Sequence, residues 1–325
     1  MTPAKPTIYQ TRPLPASVEV ALAALGEVRH PPGFRPPTED DLREALREAD
    51  AILCTVTDRF TADLLRTPGR RAGLLANFGV GVDNIDLETA RSVGVRVSNT
   101  PGVLTEATAE LTLALILAVL RRLGEGERLV RRGEWTGWEP TQLLGRSAHG
   151  LRLGVIGMGR IGTTVARRAH AGLGMSILYT SRSPVPPWEL GGVEARKVPL
   201  DALLTESDVV TLHVPSTPET HHLIDARRLA LMPSSSVLIN TARGNIVDEA
   251  ALVAALSQGQ LAGAGLDVYE GEPTVPDTLR TMEQVVLLPH LGSATLETRT
   301  AMGNLALDNL RAWFDGSPLP TPVVG

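Results

Sequence analysis

Residues 151–162, LRLGVIGMGRIG, constrain the fold more than any other stretch. An apolar run at 153–156 passes directly into Gly157-x-Gly159-x-x-Gly162, and a helical pattern with Val165, Ala166 and Ala169 follows. Each glycine has a physical task. Gly157 permits the tight turn, Gly159 lets a pyrophosphate approach the backbone, and Gly162 lets helix and strand pack closely. The helix start then offers unpaired N–H groups and the positive end of its dipole to phosphate. The segment reads as a dinucleotide-binding strand–turn–helix.

The rest of the chain has the texture such a unit requires. Short apolar runs alternate with helical patterns, which implies parallel sheets covered by helices. Six runs follow residue 150, at 153–156, 177–179, 209–213, 237–240, 263–268 and 285–288, enough for one complete doubly wound sheet. An earlier series is expected at 18–20, 51–55, 73–76 and 95–98, with a helix at 39–49 and a Pro-rich loop at 30–37. A turn at 100–102 leads into a long helix over 104–123, apolar around most of its circumference and therefore expected to be buried on several sides. A last helix at 295–314 has no strand of the second series after it, so it is expected to return to the first half. The expectation is an α/β protein of two Rossmann-like, doubly wound parallel-sheet domains. One is discontinuous (1–99 with 294–325, flavodoxin-like and substrate-binding), and the other is a dinucleotide-binding domain (100–293).

Composition narrows the function. The 325 residues carry a net charge of −5, with no basic footprint for nucleic acid or an anionic membrane. The first fifteen residues hold no apolar run, and the longest such stretch, 111–120, is half of a membrane span. The expectation is a cytoplasmic protein with no nucleic-acid or membrane partner. Cys54, the single cysteine, sits in the apolar run AILC and reads as a buried strand thiol.

Where the second strand of a dinucleotide fold ends, an acidic residue accepts from the ribose 2′-hydroxyl of NAD. Here the run at 177–179 ends in Thr180, Ser181, Arg182 and Ser183. A forked guanidinium among hydroxyls suits a 2′-phosphate. NADP(H) is therefore the preferred cofactor, with NAD(H) retained as the alternative. Three further segments stand at the ends of successive strands: NTARG (240–244), GLDVYEGEP (265–273) and PHLGSA (289–294). They supply an arginine, carboxylates and a histidine. Imidazole can protonate a forming alkoxide, a carboxylate can fix its tautomer, and arginine can hold a substrate carboxylate and polarise its carbonyl. That set suits hydride transfer to a ketone.

Taken together, NFGVGVDNID (77–86), NTPGVLTEATAE (99–110), GVIGMGRIG (154–162), HVPSTPETHHLI (213–224), INTARGNIVDEAAL (239–252), GLDVYEGEP and LLPHLGSAT (287–295) resemble the D-isomer-specific 2-hydroxyacid dehydrogenase family. The glyoxylate/hydroxypyruvate reductases are the nearest match. The resemblance implies Arg243 as the substrate-binding arginine, His290 as the proton donor and Glu272 as its partner. It implies Arg160 and Ile161 beside the pyrophosphate, Val214, Pro215 and Thr220 near the adenosine, and Thr241, Ala242, Asp267 and Gly292 near the nicotinamide. The Val80–Gly81 backbone would bind the substrate carboxylate. The implied activity is reduction of a small 2-keto acid, glyoxylate or hydroxypyruvate, to the D-2-hydroxy acid, by a homodimer. Trp138, in GEWTGWEPTQLLG (133–145), either reaches the neighbouring subunit's substrate site or only packs the dimer. Two other readings stand beside this one: a relative acting on pyruvate, phenylpyruvate or 3-phosphoglycerate, and a cofactor-sensing binding protein shaped like a dehydrogenase.

Several polar residues have plainer readings. His213, His221 and His222 have no ligand set in their neighbourhood of sequence, so no metal site is expected. His30, His149 and His170 are expected to face solvent. Asp83 and Asp86 read as helix caps. Glu106 and Glu110 sit at the start of the long helix, and Asp248–Glu249 at the start of another, where carboxylates suit the dipole; Glu110 has a second reading as a cleft residue.

Overall fold

The computed structural model describes residues 5–186 and 188–324. Along the chain run β1 (Thr7–Gln10), β2 (Glu27–Arg29), β3 (Ala51–Thr55), β4 (Leu74–Phe78), β5 (Arg96–Ser98), β6 (Arg152–Ile156), β7 (Ser176–Thr180), β8 (Ala195–Lys197), β9 (Val209–Leu212), β10 (Val237–Asn240), β11 (Gly263–Leu266), β12 (Val285–Leu287) and β13 (Pro322–Val324). They divide into two compact units. One runs to Leu104 and resumes at Ala294; the other is Thr105–Ser293. The turn at 100–102 stays with the first unit, whose Gly79 carbonyl accepts from the Thr100 N–H at 2.9 Å.

The second unit holds a parallel sheet in the order β12-β11-β10-β9-β6-β7-β8. Counted from β6, this is the doubly wound dinucleotide-binding order with one strand added, and the strand order reverses between β6 and β9. Its strands are apolar on both faces because helices cover both. In β10, Val237 and Ile239 enter one core while Leu238 enters the other, as period-two alternation requires. Helix Thr105–Leu120 lies against β10, β11 and β12. It buries Leu115, Ile116 and Val119 in the same core as Val237 and Ile239.

In the first unit the order is β13-β5-β4-β3-β1-β2. The strands β1 to β5 are parallel in a flavodoxin-like order, and β13 adds antiparallel to β5. Here too β3 alternates, with Ile52 and Cys54 on one face and Ala51 and Leu53 on the other. Cys54 is fully buried, and burial pushes its thiol well above the ordinary range. The last helix, Leu296–Phe314, returns to this unit and covers Leu74 and Ala76 of β4 with Ala306, Leu307 and Leu310.

Some expectations need correction. Val18 and Val20 lie in a helix, Ala16–Leu25, not a strand; Val18 and Leu22 are four apart and share its buried face. The long helix stops at Leu120. Arg122 takes a left-handed conformation (φ 53°), pairs with Glu125, and a second helix, Leu123–Arg131, begins. The second sheet has a seventh strand, β8, a short polar edge. Asp86 and Asp248 cap helices through the N–H groups of Thr89 and Ala251, whereas Asp83 lies in the turn before its helix. Glu110, together with Glu106, pairs with Arg168 of helix Arg160–Leu173. His30, His149 and His170 are exposed. Among the described residues, no helix is long and apolar enough to cross a membrane.

Helix Leu296–Phe314 depends on close packing at Gly303, where an added Cβ would stand 2.6 and 2.7 Å from the Val18 methyls. Gly303→Ala should destabilise the protein by about 1–3 kcal/mol through overpacking. Urea unfolding should show a smaller loss when the substitution is made in a Val18→Ala background. Equal losses in both backgrounds would mean that the two helices do not touch there.

Candidate active site

The turn after β6 is built around three glycines with different constraints. Gly157 adopts φ 95°, and a Cβ there would stand 2.6 Å from the His213 backbone. At Gly162 a Cβ would lie 2.1 Å from the Gly157 carbonyl oxygen, so helix and turn are in direct backbone contact. Gly159 differs: a Cβ there would meet nothing within 4 Å. Protein packing does not demand a glycine at this position. The space beside it, at the N-terminus of helix Arg160–Leu173, fits a phosphate-bearing group, and Arg160 and Ile161 open that helix.

At the end of β7, Ser181 donates to the Ser183 carbonyl, while the Arg182 side chain is exposed. Lys197, at the end of neighbouring β8, donates through Nζ to the Arg182 carbonyl at 3.3 Å. β8 is three residues long and polar, so no apolar run in the sequence places this second cation beside Arg182. The Arg182 charge also reaches Glu219, whose carboxyl is held low first by a hydrogen bond from Thr217. The loop after β9 is fastened by Thr220. Its hydroxyl donates to the Pro215 carbonyl at 2.7 Å and accepts from the Thr217 N–H at 2.8 Å, and Val214 packs on the core beneath. His213 bonds the Thr211 hydroxyl at 3.0 Å, and burial pushes its pKa down to about 3, so it stays neutral.

The chemistry-bearing ends converge around Asp267, which is 1% exposed. Its N–H donates to the Asn240 carbonyl and its own carbonyl accepts from His290 N–H. Its carboxylate oxygens accept from the N–H groups of Leu291 (2.6 Å) and Gly292 (2.8 Å). Burial raises the Asp267 pKa, while those amides and the His290 charge oppose the shift. This clamp holds His290 at φ 57°. Its Nδ1 lies 2.9 Å from Glu272 Oε2, and Glu272 Oε1 accepts from Tyr269 N–H at 3.0 Å. Burial alone would raise the Glu272 pKa. The His290 bond and charge, then the Tyr269 amide and the Arg243 charge, outweigh burial and hold it below the ordinary 4.5. An ionised carboxylate only accepts, so Nδ1 carries a hydrogen and Nε2 is the nitrogen turned away from Glu272.

Arg243 follows β10 in a turn that Asn240 secures by donating to the Arg243 carbonyl at 2.8 Å and accepting from Ala242 N–H at 3.0 Å. At Gly244 a Cβ would fall 1.9 Å from the Tyr269 carbonyl carbon, so the arginine turn and the glutamate loop are pressed backbone to backbone. Behind them runs a line of hydroxyls. Thr112 donates to the Thr108 carbonyl, which leaves Thr241 as the donor in the 3.0 Å Thr241–Thr112 contact, and Thr108 donates to the Gly292 carbonyl. The Thr241 hydroxyl is thus directed into helix Thr105–Leu120.

Within the first unit, the turn after β4 has its carbonyls engaged. Those of Gly79, Val80 and Gly81 accept from Thr100 N–H, Asn99 Nδ2 and Asn77 Nδ2 at 2.9, 2.8 and 2.9 Å. Because peptides are planar and trans, the N–H groups of Val80, Gly81 and Val82 point away from those partners, as an anion-binding turn would need. Trp138 and Trp135 stand 80% and 52% exposed on the chain.

Residues 113–292 match the NAD-binding domain of the D-isomer specific 2-hydroxyacid dehydrogenases. Over 98% of its length the chain is 43% identical to a glyoxylate reductase of Thermococcus litoralis, covering 97% of that protein. It is 45% identical to a glyoxylate reductase of Aeropyrum pernix, covering 98% of this chain and 96% of that one. The chain belongs to the D-isomer specific 2-hydroxyacid dehydrogenase family. Among solved structures, an NADPH-dependent glyoxylate/hydroxypyruvate reductase of Sinorhizobium meliloti, in complex with NADP and malonate, superposes with a TM-score of 0.87 at 36% identity, covering 98% of this chain and 97% of that one.

In this dehydrogenase, Arg243, Glu272, His290 and Asp267 are brought to one edge of the sheet, the edge that also carries Gly157–Gly162. Tyr269 was not singled out from the sequence. Its hydroxyl donates to the Leu288 carbonyl at 2.9 Å and so ties the strand end before His290 to the loop bearing Glu272. Burial pushes its pKa up to about 12, so it remains a donor. His221 and His222 have no further ligand near them in sequence, but the fold brings Glu270 beside them, 48 residues on from His222.

Glu272 generates a pH prediction. Its folded pKa is depressed, so the stability it contributes is present above 4.5 and is lost as pH falls through the folded value. Glu272→Gln should flatten the decline of urea stability as the pH falls below 4.5. An unchanged decline would show that the pair with His290 contributes nothing to stability.

Proposed function

We propose that this dehydrogenase reduces a small 2-keto acid, glyoxylate or hydroxypyruvate, to the corresponding D-2-hydroxy acid, with NADP(H) preferred over NAD(H). The observation that carries the reading is the His290–Glu272 contact of 2.9 Å beside the Arg243 charge, on the strand-end edge that carries the glycine turn. The glyoxylate reductase relatives support the substrate class. The exposed Arg182, just past the end of β7 and backed by Lys197 at the end of β8, supports a 2′-phosphate, as does the likeness to the NADPH-dependent Sinorhizobium enzyme.

When bound, the dihydronicotinamide supplies the hydride. Arg243 holds the substrate carboxylate and draws electron density from the adjacent carbonyl. His290 Nε2 donates a proton to the oxygen as the alkoxide forms, while Glu272 holds the opposite nitrogen and stabilises the imidazolium beforehand. Asp267 and Tyr269 keep the histidine loop in place. The exposed Trp135, Trp138, Val130 and Leu144, all in one segment, support a homodimer contact there.

His290→Ala should lower kcat by about 10²–10⁴-fold with glyoxylate or hydroxypyruvate while leaving the NADPH Kd nearly unchanged. Loss of cofactor binding as well would make the residue structural. Arg182→Ala should raise the NADPH Kd by roughly tenfold or more and leave that of NADH little altered. Equal effects on the two cofactors would remove the NADP(H) assignment.

A further inference from the structure

The loop after β9 ends in two adjacent histidines, and the loop after β11 carries Glu270. One donor atom from each of His221, His222 and Glu270 lies within 4.8 Å of the other two. His222 Nε2 stands 2.7 Å from Glu270 Oε1, and the imidazole rings stack with centroids 4.1 Å apart. We propose that these three side chains form a binding site for a divalent transition-metal ion of the zinc type, outside the catalytic dyad.

The backbone under the cluster is fixed in advance. His221 N–H donates to the Thr217 carbonyl at 3.0 Å, and His222 N–H donates to the Asn245 carbonyl at 2.8 Å. Ile224 bridges to Val247 just beyond. His222 is held at φ 47°, a conformation that histidine adopts more readily than most residues. Binding therefore requires side-chain rotation and no loop rearrangement. Donors around a tetrahedral ion with bonds of ~2.0–2.1 Å stand roughly 3.4 Å apart, so the 2.7 Å contact opens by less than about 1 Å and donors now up to 4.8 Å apart close by about 1.4 Å at most.

The chemistry of the donors selects the class of ion. Two imidazoles and a carboxylate suit zinc, nickel or copper, whereas calcium and magnesium require oxygen-rich sets. His222 and Glu270 are about one-third exposed, which leaves an entry path and room for water at the remaining coordination position. Electrostatics favour a cation there. Glu249 Oε2 accepts from Glu270 N–H at 3.4 Å, so a second carboxylate lies beside Glu270. A bound ion offsets that crowding.

Its consequence is mechanical. Glu270 stands two residues before Glu272, and His221 follows Thr220, which fastens the loop after β9. The ion would staple the loop bearing Pro215 and Thr220 to the loop bearing the partner of His290. It takes no part in moving the hydride or proton, so this site stands independently of the proposed reaction.

The test uses the full chain without an affinity tag, stripped of metal, titrated with Zn(II) by calorimetry and with Co(II) by visible absorption. One ion per chain is expected, with a tetrahedral Co(II) spectrum and a raised Tm in Zn(II). His221→Gln, His222→Gln and Glu270→Gln should each weaken binding by roughly tenfold or more. His149→Gln, an exposed histidine elsewhere, should leave it unchanged, and circular dichroism checks that each variant is folded. Absence of stoichiometric binding, or equal affinity in all four variants, overturns the proposal and leaves His222–Glu270 as an ordinary ion pair.

Discussion

Asp267 is the residue on which the arrangement of the site rests. It is a buried carboxylate, and burial disfavours its charge. Its two oxygens are met by the amides of Leu291 and Gly292, while its own peptide groups join the Asn240 carbonyl and the His290 amide. A left-handed histidine costs backbone energy, and these bonds hold His290 in that state. Nδ1 therefore meets Glu272, and Nε2 is left for exchange. Aspartate at this place acts through the loop it ties down, by fixing the backbone that carries His290.

The sheet explains why so few residues suffice. Parallel strands deliver their carboxyl ends to one edge, and the reversal of order between β6 and β9 opens that edge for a ligand. Gly157, Gly162 and Gly244 let main chain press on main chain, so turns far apart in sequence share one rigid floor. At Gly159, by contrast, an added Cβ would meet no protein atom within 4 Å. The hydroxyl line from Thr241 through Thr112 to Thr108 then couples the floor to the helix beneath.

Much of this was legible in the sequence, for identifiable reasons. Strands buried on both faces, such as β6 and β10, leave uninterrupted apolar runs, and Gly157–Gly162 has a fixed spacing. Arg243, Glu272 and His290 follow such runs directly. What escaped lacks those signals. β2 and β8 are three-residue polar edges, and β13 pairs with one neighbour. The valines at 18 and 20 favour strands locally, yet the four-residue spacing from Val18 to Leu22 packs a helix. No local pattern announces the left-handed Arg122 that breaks the long helix. Contacts such as His222 with Glu270, or Thr112 with Thr241, join residues 48 and 129 positions apart, and only the fold brings them together.

The return of the chain to its first unit sets an order of events during synthesis. β13 and the helix carrying Ala306, Leu307 and Leu310 belong to the unit built around β4, yet they leave the ribosome after all of residues 105–293. The glycine-turn unit has all its strands translated before then. Emerging vectorially, the interior unit can consolidate first, while the amino-terminal strands wait with one flank uncovered until residues 294–324 emerge. During that interval Leu74 and Ala76 lack the apolar cover that the finished unit gives them.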